Sequence, residues 1–192
     1  MKKIITLLII VAFILPVNVY AGKVIKLAHF QTADLSSPKH AASLAFKQYV
    51  ESATEGTLEV EVYPASQLGN GNTVMEGLEL GSIQMGIVHD GAVGGYYKPF
   101  NVFAIPYLFK NHAEAWKVVD GPFLGEMSGD MTKKVGIKLM GMADNGIRCF
   151  TNSKRQIKSP KDMKGLKIRV MTAPIYVALV KSLGASPQAI PW

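Results

Sequence analysis

The sequence predicts an α/β protein built on a largely parallel sheet. Three observations lead there. Short apolar stretches of period two alternate with stretches of helical period. The connections between them are short and rich in Gly, Asn and Pro. No internal repeat or low-complexity tract interrupts the alternation.

Each element follows from its own pattern. Val24–Ala28 is a short apolar strand, and Gln31–Ser37 is a polar loop. Ser37-Pro38 is a helix start, since proline at the first helical position gives up no needed N–H. Ala42, Ala45, Phe46, Tyr49, Val50 and Ala53 then recur on one helical face, which is expected to be the buried one. Gly56 ends that helix, and Leu58, Val60 and Val62 alternate with Glu59 and Glu61 as a half-buried strand. A helix over Thr73–Leu80 and a strand over Ile83–Val88 follow. Asp90–Gly95, with three glycines, reads as a flexible loop, and Phe103–Phe109 is strongly apolar. Helices are expected over His112–Val119 and Pro122–Lys134. Strands are expected over Ile137–Met142, Ile147–Thr151 and Leu166–Met171. Pro174 opens a helix to Leu183, and Ala185–Ile190 is a last strand.

The first residues are of another kind. Met1-Lys2-Lys3 precedes an uncharged apolar run, Ile4–Leu15, and Val19-Tyr20-Ala21 offers a V-x-A cleavage site. This is the pattern of a secretory signal peptide over residues 1–21. Its apolar run is shorter than the roughly 20 apolar residues of a membrane span, so a mature chain is expected to start near Gly22, with an uncleaved anchor as the alternative. Loss of Lys2 and Lys3 takes the formal charge from +7 to +5. A basic run from Lys154 to Arg169 has no interleaved aromatic platforms, so nucleic acid is not the expected partner. Cys149 is the only cysteine, which leaves no intrachain disulfide; burial in the Ile147–Thr151 strand is its expected state.

Motifs for bond breaking are missing from the sequence. There is no nucleophile elbow, no H-E-x-x-H and no phosphate-binding Gly-Lys-Ser/Thr; "LGNGNT" at Leu68–Thr73 reads as a turn. His29, His40, His89 and His112 show no ligand spacing, so neither metal nor cofactor is expected. Only Asp90 and Asp144 stand at strand ends as candidate acids, and Asp90 reads as a loop residue. These residues favour a binder over an enzyme. In open parallel sheets ligands sit beyond the carboxyl ends of strands, which directs attention to Ala28–Thr32, Val88–Gly91, Asn145–Arg148 and Arg169–Thr172. In "MKGLKIRVM" (Met163–Met171) the alternation leaves Arg169 either solvated or aimed into a cleft.

The stretches "VEVYPASQLGNGNTVMEGLELGSIQMGI" (Val60–Ile87), "FAIPYLF" (Phe103–Phe109), "NGIRCFTNSKRQIKSPKDMKGLKIRVM" (Asn145–Met171) and "LGASPQAIPW" (Leu183–Trp192) resemble the DctP-type family. These are extracytoplasmic solute receptors of tripartite ATP-independent periplasmic (TRAP) transporters. The resemblance runs from about Val24 to Trp192. It implies a two-lobed α/β clamp, here with lobe I over residues 22–146 and the start of lobe II over 147–192. It also implies a periplasmic receptor that binds a small organic acid by its carboxylate and delivers it to membrane permease subunits. By resemblance Arg169 makes the main salt bridge to the carboxylate, and Arg148 is a second cationic contact. Trp192 takes the place of an aromatic that packs on the ligand, His89 that of a side chain that varies with substrate, and Phe30 and Thr172 line the pocket. Family members are longer, so the chain reads as a fragment or a truncated product, with a second lobe only begun. Two other classes stay open: a sensory binding module, and a periplasmic hydrolase on a similar scaffold. Dicarboxylates, sialic acid, aromatic acids and 2-oxoacids all fit the arginines.

Overall fold

β1 (Lys23–His29) is the central strand of a three-stranded parallel sheet in the order β2-β1-β3, with β2 at Leu58–Tyr63 and β3 at Met85–Ile87. The computed structural model describes residues 23–191; the expected signal peptide, residues 1–21, and Trp192 lie outside them. Lys23 is opposite Leu58 and Ala28 opposite Tyr63, while Leu27–His29 face Met85–Ile87. A parallel pair needs a crossover connection. That role falls to α1 (Pro38–Ala53) between β1 and β2, and to α2 (Gly71–Glu79) between β2 and β3. A second parallel pair, β4 (Lys167–Val170) with β5 (Ser186–Ala189), is connected by the helix Pro174–Ser182. The α/β class is therefore as the sequence implies.

α1 begins at Pro38 as expected, but its buried face is a different one. Ser43 is its buried residue, whereas Tyr49 is 74% exposed and Ala42, Ala45 and Ala53 are exposed too. The helix is fastened to β2 by polar groups. Glu51 accepts from the Val60 N–H at 2.9 Å, and Lys47 donates both to Val60 O and to Glu51 at 2.7 Å. Val60 turns its N–H and C=O to the side of β2 that β1 leaves open. Lys47 and Glu51 thus satisfy an edge that would otherwise invite another strand.

After β3 the chain enters α3 (Asp90–Tyr96), where the glycines had suggested a flexible loop. Gly91, Ala92, Val93 and Gly94 are buried there. The glycines serve close packing: a Cβ on Gly94 would meet Asn101 Oδ1 at 2.3 Å. A 3-10 turn (Lys98–Ala104) leads to α4 (His112–Val119) and α5 (Pro122–Val135), which closes on Gly136 with φ of 70°. Met75, Ala92, Val93, Tyr97, Phe100, Met127 and Met131 form one core, and Ala28, Phe30, Val74 and Ile83 form another beside β1. The helix Pro174–Ser182, α6, packs its own core with Met163, Leu166, Ile168 and Val170.

Two expected strands do not form. Residues 137–142 and 147–151 carry no ladder, and Cys149 is exposed instead of buried. A strand depends on a neighbour for its backbone hydrogen bonds, and no described strand runs alongside these stretches. Met140 and Ile147 reach the surface, while Ile137, Leu139 and Met142 pack against the core around Met75 and Met131 without a ladder.

Candidate functional site

The carboxyl ends of the two sheets face a common cleft. Asn70, Gly71, Asn72, His89, Arg169, Met171, Thr172 and Pro191 line it. One wall is the start of α2, where Asn70 caps the helix by accepting from the N–H groups of Asn72 and Thr73 at 3.0 and 3.3 Å. "LGNGNT" is therefore a turn and the first residues of a helix. The other wall is the end of β4 and the residues after it.

His89 occupies the N-cap of α3. Its Nδ1 accepts from Ala92 N–H at 3.2 Å, so that nitrogen carries no proton. The proton of the neutral ring is then on Nε2, which lies under α2 where a Cβ on Gly71 would come within 2.7 Å. Burial pushes the His89 pKa below its ordinary value of 6.5, with Asp90 opposing and Lys39, Arg148 and Arg169 reinforcing. His89 is thus a neutral N–H donor in a field made by three cations and one carboxylate. Phe30 is buried behind it, ring centroids 5.7 Å apart and tilted 58°. It belongs to the core beside β1 and supports the imidazole from the rear.

Arg169 stands at the end of β4, on the exposed side of an alternation that buries Ile168 and Val170. Its Nε donates to Ile190 O at 2.9 Å, which fixes the guanidinium across the end of β5. Arg148 reaches the same region from the irregular stretch before β4. Its Nη2 is 2.8 Å from Asp90 Oδ1, and its guanidinium lies 5.2 Å from the centroid of the Tyr176 ring. Tyr176 Oη in turn donates to the other Asp90 oxygen, and burial with this bond pushes the Tyr176 pKa up. Lys39, on the first turn of α1, has its pKa lowered by burial and by Arg148, while Asp90 raises it.

Of the residues singled out from the sequence, His89, Arg169 and Thr172 line the cleft. Arg148 stands beside it, Phe30 lies behind it, and Trp192 is outside the described residues. Lys39, Tyr176 and a place at the cleft for the turn Asn70–Asn72 were not anticipated. The turn had a legible signal, an Asn one residue ahead of a helix. Asp90, named as a strand-end acid, was expected in a loop and stands in the first turn of α3, a helix hidden by the glycines after it. No group of three or more His, Cys, Asp or Glu among the described residues could hold a metal ion. No described helix is long and apolar enough to cross a membrane.

The arrangement can bind a small anion: the Arg169 guanidinium, a neutral N–H donor and a helix start line one cleft, with Arg148 beside it. Residues 29–192 match the family described as "Bacterial extracellular solute-binding protein, family 7" (DctP). The 2,3-diketo-L-gulonate-binding periplasmic protein YiaO of Escherichia coli (strain K12) is 32% identical over 163 residues, 85% of this chain and 49% of that protein. The C4-dicarboxylate-binding periplasmic protein DctP of Rhodobacter capsulatus is 33% identical over 170 residues, 87% of this chain and 49% of that protein. A TRAP periplasmic solute-binding protein from Sulfitobacter sp. NAS-14.1, solved with bound β-D-galacturonate, superposes with a TM-score of 0.83 at 27% identity, over 88% of this chain and 55% of that one. The chain spans about half the length of the curated relatives it matches. It belongs to family 7 of the bacterial extracellular solute-binding proteins, the DctP family.

Proposed function

We propose that the chain is the carboxylate-recognising part of an extracytoplasmic receptor of a TRAP transporter, exported to the periplasm and serving membrane permease subunits. The observation that carries this reading is that Arg169 and His89 line one cleft at the carboxyl ends of two parallel sheets, with Arg148 beside it. The sheets belong to two lobes, residues 22–146 and 147–192, which is supported by the separate core around β4, β5 and α6. Arg169 is the principal anchor. A guanidinium stays charged and offers a planar fork that matches both oxygens of a carboxylate. His89 donates from Nε2 to a ligand oxygen, and Thr172 adds a hydroxyl at the cleft wall. The chain's role is recognition and delivery, with no chemical step.

Thermal-shift and calorimetric titration with a panel of organic acids and their uncharged amides tests this. Carboxylates are expected to raise Tm and the amides to leave it unchanged. Arg169→Lys keeps the charge but loses the fork, and affinity should fall by about tenfold or more. A Tm unmoved by every carboxylate, or an undiminished affinity in Arg169→Lys, overturns the assignment.

A further inference from the structure

A carboxylate is already in place where an anion-binding arginine has its partner. Asp90 holds Arg148 Nη2 with one oxygen, at 2.8 Å, and accepts from Tyr176 Oη with the other. Its side chain is 20% exposed against 55% for that of Arg148, so the acid is the anchored member of the pair. The next residue brings a second, independent contact across the same gap. Gly91 approaches so closely that a Cβ there would lie 3.3 Å from Met171 Cβ and 3.5 Å from Ala173 Cβ. The start of α3 is therefore pressed against the segment after β4 that contributes Met171 and Thr172 to the cleft.

We infer that Asp90 is a specificity-determining positioning residue, which fixes the Arg148 guanidinium at the edge of the cleft and disfavours a second ligand carboxylate there. The inference rests on reading the cleft as a carboxylate site. Without Asp90, Arg148, Arg169 and Lys39 would act together on the space around His89, a field suited to a dianion. Asp90 cancels one of those charges where it matters. A second carboxylate bidding for Arg148 would approach a like charge bound to the same guanidinium, and such juxtaposition is strongly disfavoured. A ligand hydroxyl meets no such penalty, because a carboxylate has further lone pairs to offer. The site should favour acids with one carboxylate and hydroxyl groups over dicarboxylates.

The test is calorimetric titration of the protein and of Asp90→Asn with gluconate, a hydroxylated monoanion, and succinate, a dianion. Asn keeps the shape and an acceptor for Tyr176 but removes the charge. The affinity ratio should move toward succinate by about tenfold or more in Asp90→Asn. Tyr176→Phe, which leaves the charge in place, should affect both acids alike. A ratio unchanged in Asp90→Asn overturns the proposal. Failure of the unaltered protein to bind any carboxylate removes the specificity claim together with the reading of the cleft. The positioning claim is then decided without ligand, by urea unfolding of Asp90→Asn, Arg148→Met and the double variant. Effects on the folding equilibrium that miss additivity by about threefold or more support it, and additive effects overturn it.

Discussion

His29 and His40 share a hydrogen bond, with Nε2 of the first 3.0 Å from Nδ1 of the second. His29 is fully buried at the end of β1, and its Nδ1 has no hydrogen-bond partner among the described residues. A bare lone pair is cheaper to bury than an unpaired N–H. The proton of His29 is therefore on Nε2, and His40 accepts it.

That bond ties the start of α1 to the central strand, and it makes stability depend on pH. Burial, then the nearby His40 and Lys39 charges, depress the His29 pKa below 6.5. The unfolded chain takes up a proton near 6.5 while the folded one resists it. Stability is accordingly complete above 6.5 and is lost as pH falls below that value toward the folded pKa. Urea unfolding at several pH values should show this loss, and His29→Gln should show less of it. His40→Ala leaves a buried imidazole with no partner and should cost about 1–3 kcal/mol at neutral pH. A stability indifferent to His40 would contradict the shared bond.

Gly71→Ala should damage the cleft and the fold together. Its Cβ would lie 2.7 Å from His89 Nε2 and 2.8 Å from Ala92 Cβ, so the imidazole must turn or α2 must lift off α3. Overpacking of this kind costs about 1–3 kcal/mol, and displacement of His89 should weaken anion binding. Gly95→Ala is the contrast. Nothing lies within 4 Å of its Cβ, and the change should stabilise α3 by about 0.4–1 kcal/mol through the unfolded state. Chemical denaturation of both variants separates steric from conformational effects, and equal outcomes would speak against the close contact.

Much of this fold was legible because its signals are local. Ser37-Pro38 marks the first residues of α1, the Glu59 and Glu61 alternation marks β2, and α4 lies over His112–Val119 as its spacing predicts. What escaped depends on partners distant in sequence. The buried face of α1 is set by Val60, whose edge groups recruit Lys47 and Glu51 ahead of the apolar Tyr49. Gly91 and Gly94 of α3 look permissive in isolation and are spacing devices once Met171 and Asn101 stand against them. Residues 137–142 and 147–151 have strand-like sequences and no described neighbour to pair with. In the site, a guanidinium at a strand end could be found from sequence. Asp90 could be named as a strand-end acid but not given a role, since that comes from Arg148 and Tyr176, 58 and 86 positions away.

A second titration lies in the core of α3 and α5. Tyr97 is 4% exposed, and its hydroxyl donates to Asp130 Oδ2 at 2.6 Å, an oxygen that also receives Lys134 Nζ at 2.9 Å. Burial, then the bond to Asp130, pushes the Tyr97 pKa up from 10.0 to about 12. Here the folded state holds its proton more tightly than the unfolded one. The contribution is complete below pH 10 and is lost as pH rises through about 12. Tyr97→Phe should cost about 1 kcal/mol at neutral pH and should flatten the alkaline loss of stability. Tyr176 also ionises late, so the ultraviolet tyrosinate titration is read as the difference between the protein and Tyr97→Phe. A difference curve centred near 10 would mean that the hydroxyl is solvated and the Asp130 bond is not made.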